Sequence, residues 1–400
     1  MLLVRLAWII FYLWLAGGAL TVFALARQKF LKPSKESGLK NMDAPLVSVL
    51  VPARNEERRV LRECIRTILA QEYDNFEVVA VNDRSTDSTG AILHALAAED
   101  ERLRVFEGKE TPAGWLGKPF ALQQALEASR GSWVLATDAD MIFDPAALRT
   151  ALDYTFEHEC DALTLVPHFE ALSFWERISV PMFSWFALVM FPTELTKSRK
   201  TPLALGVGGF YLIRRAALER IGGFGAVRAE VLDDVRLAEE LKRDGARTRA
   251  EYAPRLVSTR MYASFPELWE GLSKNSFAIM KFSLALTLLL LAWVFLVTIL
   301  PPALAVASGL MSALKPADAY WQQLFVPSFL TWLLVVALHM AVNVRCRIPA
   351  VYALTTPLGW LLSSLVMLGS AYGVLTGRGL VWKGRRFYES GGVRPPRATH

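Results

Sequence analysis

The chain of 400 residues is short of charge and of cysteine: 20% of its residues are charged and three are cysteines. Globular chains carry about 25% charged residues. A hydrophobic content of 53% and a mean hydropathy of +0.30 are too apolar for two soluble domains of this combined length. Part of the chain therefore faces lipid. Cys64, Cys160 and Cys346 form no close pair and no ligand-like spacing, which excludes a disulfide scaffold and a cysteine zinc site and fits a reducing compartment. Disorder and collagen are excluded by the same composition. Lys and Arg total 44 against 38 Asp and Glu, yet they gather at Arg27 to Lys40, at Arg345 and Arg347, and from Arg378 onward. Those positions flank apolar stretches, so the excess reads as membrane orientation and phospholipid contact. No basic face for nucleic acid is indicated.

Residues 6–26 carry no charge, close to the roughly twenty needed to cross a hydrocarbon core of about 30 Å, and Arg5 can snorkel. A signal peptide is the competing reading, since Ala24, Leu25 and Ala26 resemble a cleavage site, but its apolar region runs only about 7 to 15 residues. Residues 1–27 are expected to be a retained anchor, followed by a basic linker at 28–45 that the positive-inside rule places in the cytoplasm. Residues 46–281 read as a soluble domain, 282–376 as a membrane region and 377–400 as a basic tail. Spans are expected at Ser283 to Met311, broken by Pro301 and Pro302, at Phe325 to Val342, and at Ala350 to Leu375, interrupted by Pro357 and Gly359. Three crossings there leave Arg378, Lys383, Arg385 and Arg386 outside, against the rule, although Arg345 and Arg347 fall inside. Either one segment is re-entrant or one is two. His339, in an apolar run, is a functional residue or one packed against a neighbouring helix. Residues 172–192, with Trp175, Phe183, Trp185 and Phe186 and with Lys197, Arg199 and Lys200 beyond, read as an interfacial helix or a buried core helix.

In the soluble part, short apolar strand-like runs at Val47 to Val51, Phe76 to Val81, Leu103 to Phe106 and Trp133 to Thr137 each precede a stretch with helical spacing. These stretches are Glu57 to Ala70, Ser88 to Ala98, Phe120 to Ala128 and Pro145 to Glu157. The alternation predicts an α/β fold with a mainly parallel sheet, whose ligand sites lie at the carboxyl ends of the strands. The first strand is followed by Pro52, Ala53, Arg54, Asn55, Glu56 and Glu57, with no glycine-rich phosphate turn. The second is followed by Asn82, Asp83, Arg84, Ser85, Thr86, Asp87, Ser88 and Thr89, more polar residues than one helix cap requires. The fourth ends in Asp138, Ala139, Asp140, a pair of hard oxygen donors suited to Mg²⁺ or Mn²⁺ with room left for phosphate oxygens.

Pro-x-x-Asn-Glu, Asn-Asp-x-Ser-x-Asp and Asp-x-Asp, each closing a strand in this order, resemble the family 2 glycosyltransferases, whose nucleotide-binding fold is called GT-A; the resemblance covers about Val47 to Asn275. It implies a donor-binding set of Pro52, Arg54, Glu56, Asp83, Lys118 and Asp138, with Glu56 and Asp83 on the uridine of a nucleotide-sugar. It further implies a metal pair of Asp138 and Asp140, and Lys118 on a loop before the third helix. Asp233 and Asp234 open a helix, and by the resemblance the second carboxylate is the catalytic base. A carboxylate within hydrogen-bond reach can take the proton of an acceptor hydroxyl, and one base without an enzyme nucleophile implies inversion, as in the family. Gly208, Gly209 and Phe210 resemble the family's acceptor-side turn, and Trp269 and Lys274 are further acceptor-side candidates. In place of the Gln-x-x-Arg-Trp of processive members stands Trp269, Glu270, Gly271, Leu272, Ser273, Lys274, Asn275, which argues against polymer synthesis. This pattern, with Gly-Trp-x-Gly-Lys upstream and Trp382 to Arg386 in the tail, looks like a membrane-bound branch that includes hopanoid-associated, hydroxychlorobactene-type carotenoid and, more distantly, ceramide glucosyltransferases.

The expectation is a multi-pass protein of the inner or plasma membrane with a cytoplasmic, metal-dependent catalytic domain. It would move one sugar from a nucleotide-sugar, UDP-glucose or similar, to a hydroxyl of a membrane lipid, with no nucleic-acid partner. The alternatives are a synthase of polysaccharide or of a polyprenyl-phosphate sugar, and, from another class, a nucleotide-binding membrane sensor or transporter subunit without turnover.

Overall fold

A computed structural model describes residues 1–34, 44–198, 201–382 and 385–387. Lys35, Lys40, Arg199, Lys200, Lys383 and the end of the basic tail lie outside the described residues. The chain packs as two units. One comprises Lys29–Glu170, Thr193–Met261 and Gly377–His400; the other comprises Met1–Gln28, Ala171–Pro192 and Tyr262–Thr376.

The first unit carries strands β1 (Val47–Ala53), β2 (Phe76–Asn82), β3 (Leu103–Glu107), β4 (Trp133–Ala136), β5 (Met141–Phe143), β6 (Ala162–Val166), β7 (His168–Phe169), β8 (Tyr211–Arg214), β9 (Thr248–Tyr252) and β10 (Val257–Thr259), with a hairpin of β11 (Leu380–Trp382) and β12 (Arg385–Phe387) in the tail. Seven of them form one sheet in the order β3-β2-β1-β4-β8-β6-β9. All its pairs are parallel except those of β8, which runs against both β4 and β6. β1 and β2 read as near-continuous apolar runs because helices cover both faces. Val49 and Val51 of β1 pack with Leu61, Ile65, Leu93 and Leu148 on one side, and Leu50 packs with Leu122, Leu126, Leu237 and Leu241 on the other. That is the two-residue period of a strand. Pro52 stays inside β1, opposite Val81 of β2, because β4 ends opposite Leu50 and asks no further donor of that edge. β5, β10 and β7 form a small second sheet beside the strand ends.

In the second unit, four helices are long and apolar enough to cross a membrane by length and composition: Leu2–Arg27, Leu284–Leu314, Ala319–Arg345 and Ala350–Leu375. Leu284–Leu314 runs through a π-helical turn at Phe295–Ile299 immediately before Pro301 and Pro302, which accommodates the two missing N–H groups without ending the helix. Pro357 falls in the first turn of the Thr356–Leu375 helix, where proline is tolerated. The aromatic stretch is a helix, Phe174–Met190, whose start is set by a capping box between Ser173 and Glu176. Its Trp185 is buried against Val335, Leu338 and Val342, while Phe174, Trp175 and Phe186 are exposed. His339 is packed: it is fully buried, hydrogen-bonded through Nδ1 to Thr356 Oγ1 at 2.6 Å, and beside the Trp185 ring.

Candidate active site

The loops that leave β1 and β2 are tied together. Arg54 donates to the carbonyls of Asp83 and Arg84 at 2.6 and 2.9 Å. Asn55, held at φ 52°, accepts from Thr86 N, and Glu56 N donates to Thr89 Oγ1 at 2.7 Å. The polar run after β2 is thus more than a cap: it supplies the partners that hold the first loop. Glu56 and Asp83 are both buried polar residues at these ends, 3% and 4% exposed. The helix expected from Glu57 begins only at Leu61, since the backbone of residues 55–57 is engaged with the neighbouring loop.

At the end of β4, Thr137 Oγ1 donates to the carbonyl of Gly209 at 2.7 Å, which brings the turn before β8 against the Asp-x-Asp segment. Asp138 pairs with Lys118 at 2.7 Å. Asp140 pairs with Arg59 at 2.5 Å, and the same guanidinium donates to the Met261 carbonyl at 2.7 Å and lies 3.9 Å from Glu56. Arg59 was not anticipated; its one sequence signal is its place three residues after Glu56.

Lys118 stands in the first turn of the helix Gly117–Ala128, a correction of the expected loop. A cation is unfavourable at the positive end of a helix, so its position needs another cause. Loss of water would push the Lys118 ammonium down, but the charges of Asp138, Asp233 and Asp234 outweigh that and hold it above the ordinary lysine range. Asp233 and Asp234 open the helix Asp233–Arg243, where acidic residues suit the dipole. Asp234 is held by two backbone donors, Gly208 N to Oδ2 at 2.9 Å and Val235 N to Oδ1 at 2.8 Å.

Gly208 is the meeting point. A Cβ built there would lie 2.6 Å from Lys118 Nζ, 3.2 Å from Asp138 Oδ2 and 3.6 Å from Asp234 Oδ2. The lysine, the first carboxylate of the Asp-x-Asp pair and the second carboxylate of the Asp-Asp pair thus face one another across a residue without a side chain. Gly209 is covered by the Met141 thioether. The Phe210 side chain is fully buried in the core, 5.8 Å from the Phe143 ring. Trp269 and Lys274 lie on the helix Phe265–Ile279 of the other unit. A further group that sequence reading missed is Tyr211, buried at the start of β8, whose hydroxyl is raised by burial and by the Asp234 charge; an apolar strand pattern conceals it.

Among the described residues no three His, Cys, Asp or Glu side chains converge as a metal cage. The donor chemistry at the β4 end still fits a hard cation such as Mg²⁺, which is commonly held by one or two carboxylates with substrate phosphates completing its shell.

A family model, Glycosyl transferase family 2, matches residues 48–222. The chain is 29% identical over 245 residues to the beta-monoglucosyldiacylglycerol synthase of Synechocystis sp., which covers 58% of this chain and 49% of that protein. It is 39% identical over 98 residues to the beta-monoglucosyldiacylglycerol synthase of Nostoc sp., covering 24% of this chain and 20% of that one. Across the curated relatives the chain spans between 11% and 49% of their length. Among solved structures it is similar to the mannosyltransferase PcManGT of Pyrobaculum calidifontis in complex with GDP-Man and Mn²⁺, with a TM-score of 0.50, 19% identity, and 86% of this chain and 99% of that chain covered. The fold is that of the GT-A glycosyltransferases, with several long apolar helices added.

Proposed function

We propose that this protein is an inverting, metal-dependent glycosyltransferase that moves a single sugar from a nucleotide donor, UDP-glucose or a close relative, to a hydroxyl of a membrane lipid. The observation that carries the proposal is the convergence of Lys118, Asp138 and Asp234 on Gly208 at the carboxyl edge of the sheet. In this scheme Glu56 and Asp83 grip the base of the donor, and Lys118 meets its diphosphate. Asp138 and Asp140 would hold a divalent cation, which supplies charge neutralisation on the leaving nucleoside diphosphate. Asp234, oriented by Gly208 N and Val235 N, takes the proton of the acceptor hydroxyl. The lipid acceptor is supported by the two glucosyldiacylglycerol synthase relatives and by the four long apolar helices. A cytoplasmic catalytic unit on a cell membrane is supported by the basic residues Arg27, Lys29 and Lys32 after the first helix.

The test uses the full chain purified into vesicles that contain diacylglycerol and other hydroxyl-bearing lipids. On addition of UDP-glucose and Mg²⁺, UDP is released and mass spectrometry finds one lipid species heavier by a single hexose. Release of nucleotide from none of a panel of UDP- and GDP-sugars would rule out the enzyme, and a ladder of added hexoses would rule out single transfer.

A further inference from the structure

We propose that the helix Thr356–Leu375, though long and apolar enough to span, does not cross the bilayer. It stays within one leaflet, on the side where Arg27 and Lys29 emerge, with an apolar stripe turned to the acyl chains of that leaflet. The proposal rests on the membrane reading given above.

Three helices of the second unit define the two levels of the membrane. Leu2–Arg27 and Ala319–Arg345 run parallel: Val4 and Ala7 pack with Leu324, Gly18 lies against Leu338, and Arg345 donates to the Leu25 carbonyl at 3.0 Å. Leu284–Leu314 runs the other way, since Trp14 Nε1 donates to the Val297 carbonyl at 2.5 Å and Leu304 packs beside Val4 and Ala7. One level therefore holds Leu25, Arg345 and the start of the third helix at Ser283. Its basic residues, Arg27, Arg345 and Arg347, mark it as the inner one.

The helix Thr356–Leu375 starts inside the inner half of this frame and ends at the inner level, and neither end reaches the outer one. Thr356 is bonded to His339, less than two turns from Arg345. Gly359 lies against Ile178 and Met182 of the helix Phe174–Met190, whose Trp185 donates to Thr21 near the inner end of the first helix. At the far end, Ser370 donates to the Ser273 carbonyl and accepts from Phe277 N at 3.2 Å, and Gly369 lies on the Trp269 ring. Those partners belong to the helix Phe265–Ile279, which ends just before Ser283, where the chain starts outward. Ser370 is thus near the inner level again, and from it the helix continues only to Leu375, about 7.5 Å at 1.5 Å per residue, far short of a hydrocarbon core of about 30 Å.

The exposed side chains agree. Leu358, Leu361, Leu365, Leu368, Tyr372 and Leu375 are all exposed and recur at spacings of three and four, one unbroken stripe. The opposite face, with Leu362, Val366, Ser370 and Ala371, is buried in protein. Acyl chains are the occupant that fits, because basic residues close both ends of the segment, Arg345 and Arg347 before it and Arg378 after it, and these meet anionic headgroups of a single leaflet. With three crossings instead of four, the basic tail returns to the side of Arg27, and the conflict with the positive-inside rule disappears.

The test labels single cysteines in the full chain, its own three replaced, with a membrane-impermeant maleimide in right-side-out vesicles. Lys29→Cys, Pro349→Cys and Thr399→Cys should react only after permeabilisation, and Ala317→Cys at once. Reaction at position 399 but not 349 in intact vesicles overturns the proposal; reaction at 349 or 29 overturns the membrane reading beneath it. Should a cysteine variant fail to fold, green fluorescent protein fused after His400 of the unaltered chain must fluoresce in cells, and a dark fusion on a stably inserted chain refutes the proposal. Nitroxides on Leu361→Cys, Leu368→Cys and Tyr372→Cys in phosphatidylethanolamine and phosphatidylglycerol vesicles should all report depths short of the bilayer centre, shallowest at 372, with high oxygen access. Depths that pass the bilayer centre mean a crossing, and low oxygen access at all three means a second copy covers the stripe; either result refutes it.

Discussion

Gly206 and Gly208 stand two residues apart, and a methyl group at each is expected to fail for different reasons. At Gly206 an added Cβ would come 2.0 Å from the Asp234 carbonyl oxygen and 2.6 Å from its carbon, both main-chain atoms of a helix start. The backbone must move, so Gly206→Ala should cost about 1–3 kcal/mol of stability or more, as overpacking does, and should lower Tm. At Gly208 the nearest atom is the end of a flexible side chain, Lys118 Nζ at 2.6 Å. The ammonium can swing away, but doing so breaks its 2.7 Å pair with Asp138. A hydrogen bond to a charged group contributes about 1.5–3 kcal/mol, so Gly208→Ala should lower kcat/KM by about 10- to 150-fold while Tm moves by no more than a few degrees. Differential scanning fluorimetry in detergent gives the stability and UDP release gives the rate. A Gly208→Ala protein with unchanged kcat/KM, or one as unstable as Gly206→Ala, would refute this account of the site.

Asp234→Asn keeps the shape but removes the base; turnover should fall about 10²- to 10⁴-fold with UDP affinity, measured by calorimetry, nearly unchanged. Asp140→Ala should weaken UDP binding in the presence of Mg²⁺ and leave the weaker binding seen with chelator unaltered. Chelation of the wild-type protein should abolish turnover, and Mg²⁺ or Mn²⁺ should restore it; retention of full rate in excess chelator would remove the cation from the scheme. Glu77 is buried, which alone would raise its carboxyl, but bonds from Arg130, Ser48 and Arg104 hold it below its ordinary value near 4.5. The stabilisation is complete above that unfolded value and lost as pH falls through the lower folded one. Glu77→Gln should therefore cost about 2 kcal/mol at neutral pH and progressively less below pH 4.5, read from Tm against pH.

Much of the architecture was legible because it depends on neighbours along the chain. The four strand-helix units appear within a few residues of their expected bounds, since burial on both faces writes β1 and β2 as apolar runs and helix faces repeat at i, i+4. Element starts were less legible where a loop draws backbone groups away, as at residues 55–57, or where a helix absorbs a residue that looked like loop, as at Lys118. The burial of Phe210 was not legible, because an aromatic residue after two glycines reads the same whether it lines a pocket or fills a core. Arg59 and Tyr211 gave no motif, since an arginine near a glutamate and a tyrosine in a strand are ordinary.

By itself the sequence determined the class of chemistry: carboxylates in pairs at strand ends, too few cysteines for a disulfide or zinc scaffold, and enough uncharged length for lipid. Tertiary structure decided which of those groups meet. Lys118, Asp138 and Asp234 come from three elements and converge because the sheet places β8 between β4 and β6 and so brings the Gly208 turn to the end of β4. It also decided what each end of an apolar helix packs against. Length and hydropathy measure only whether a helix could span, and the proposal that Thr356–Leu375 does not rests on contacts near both of its ends.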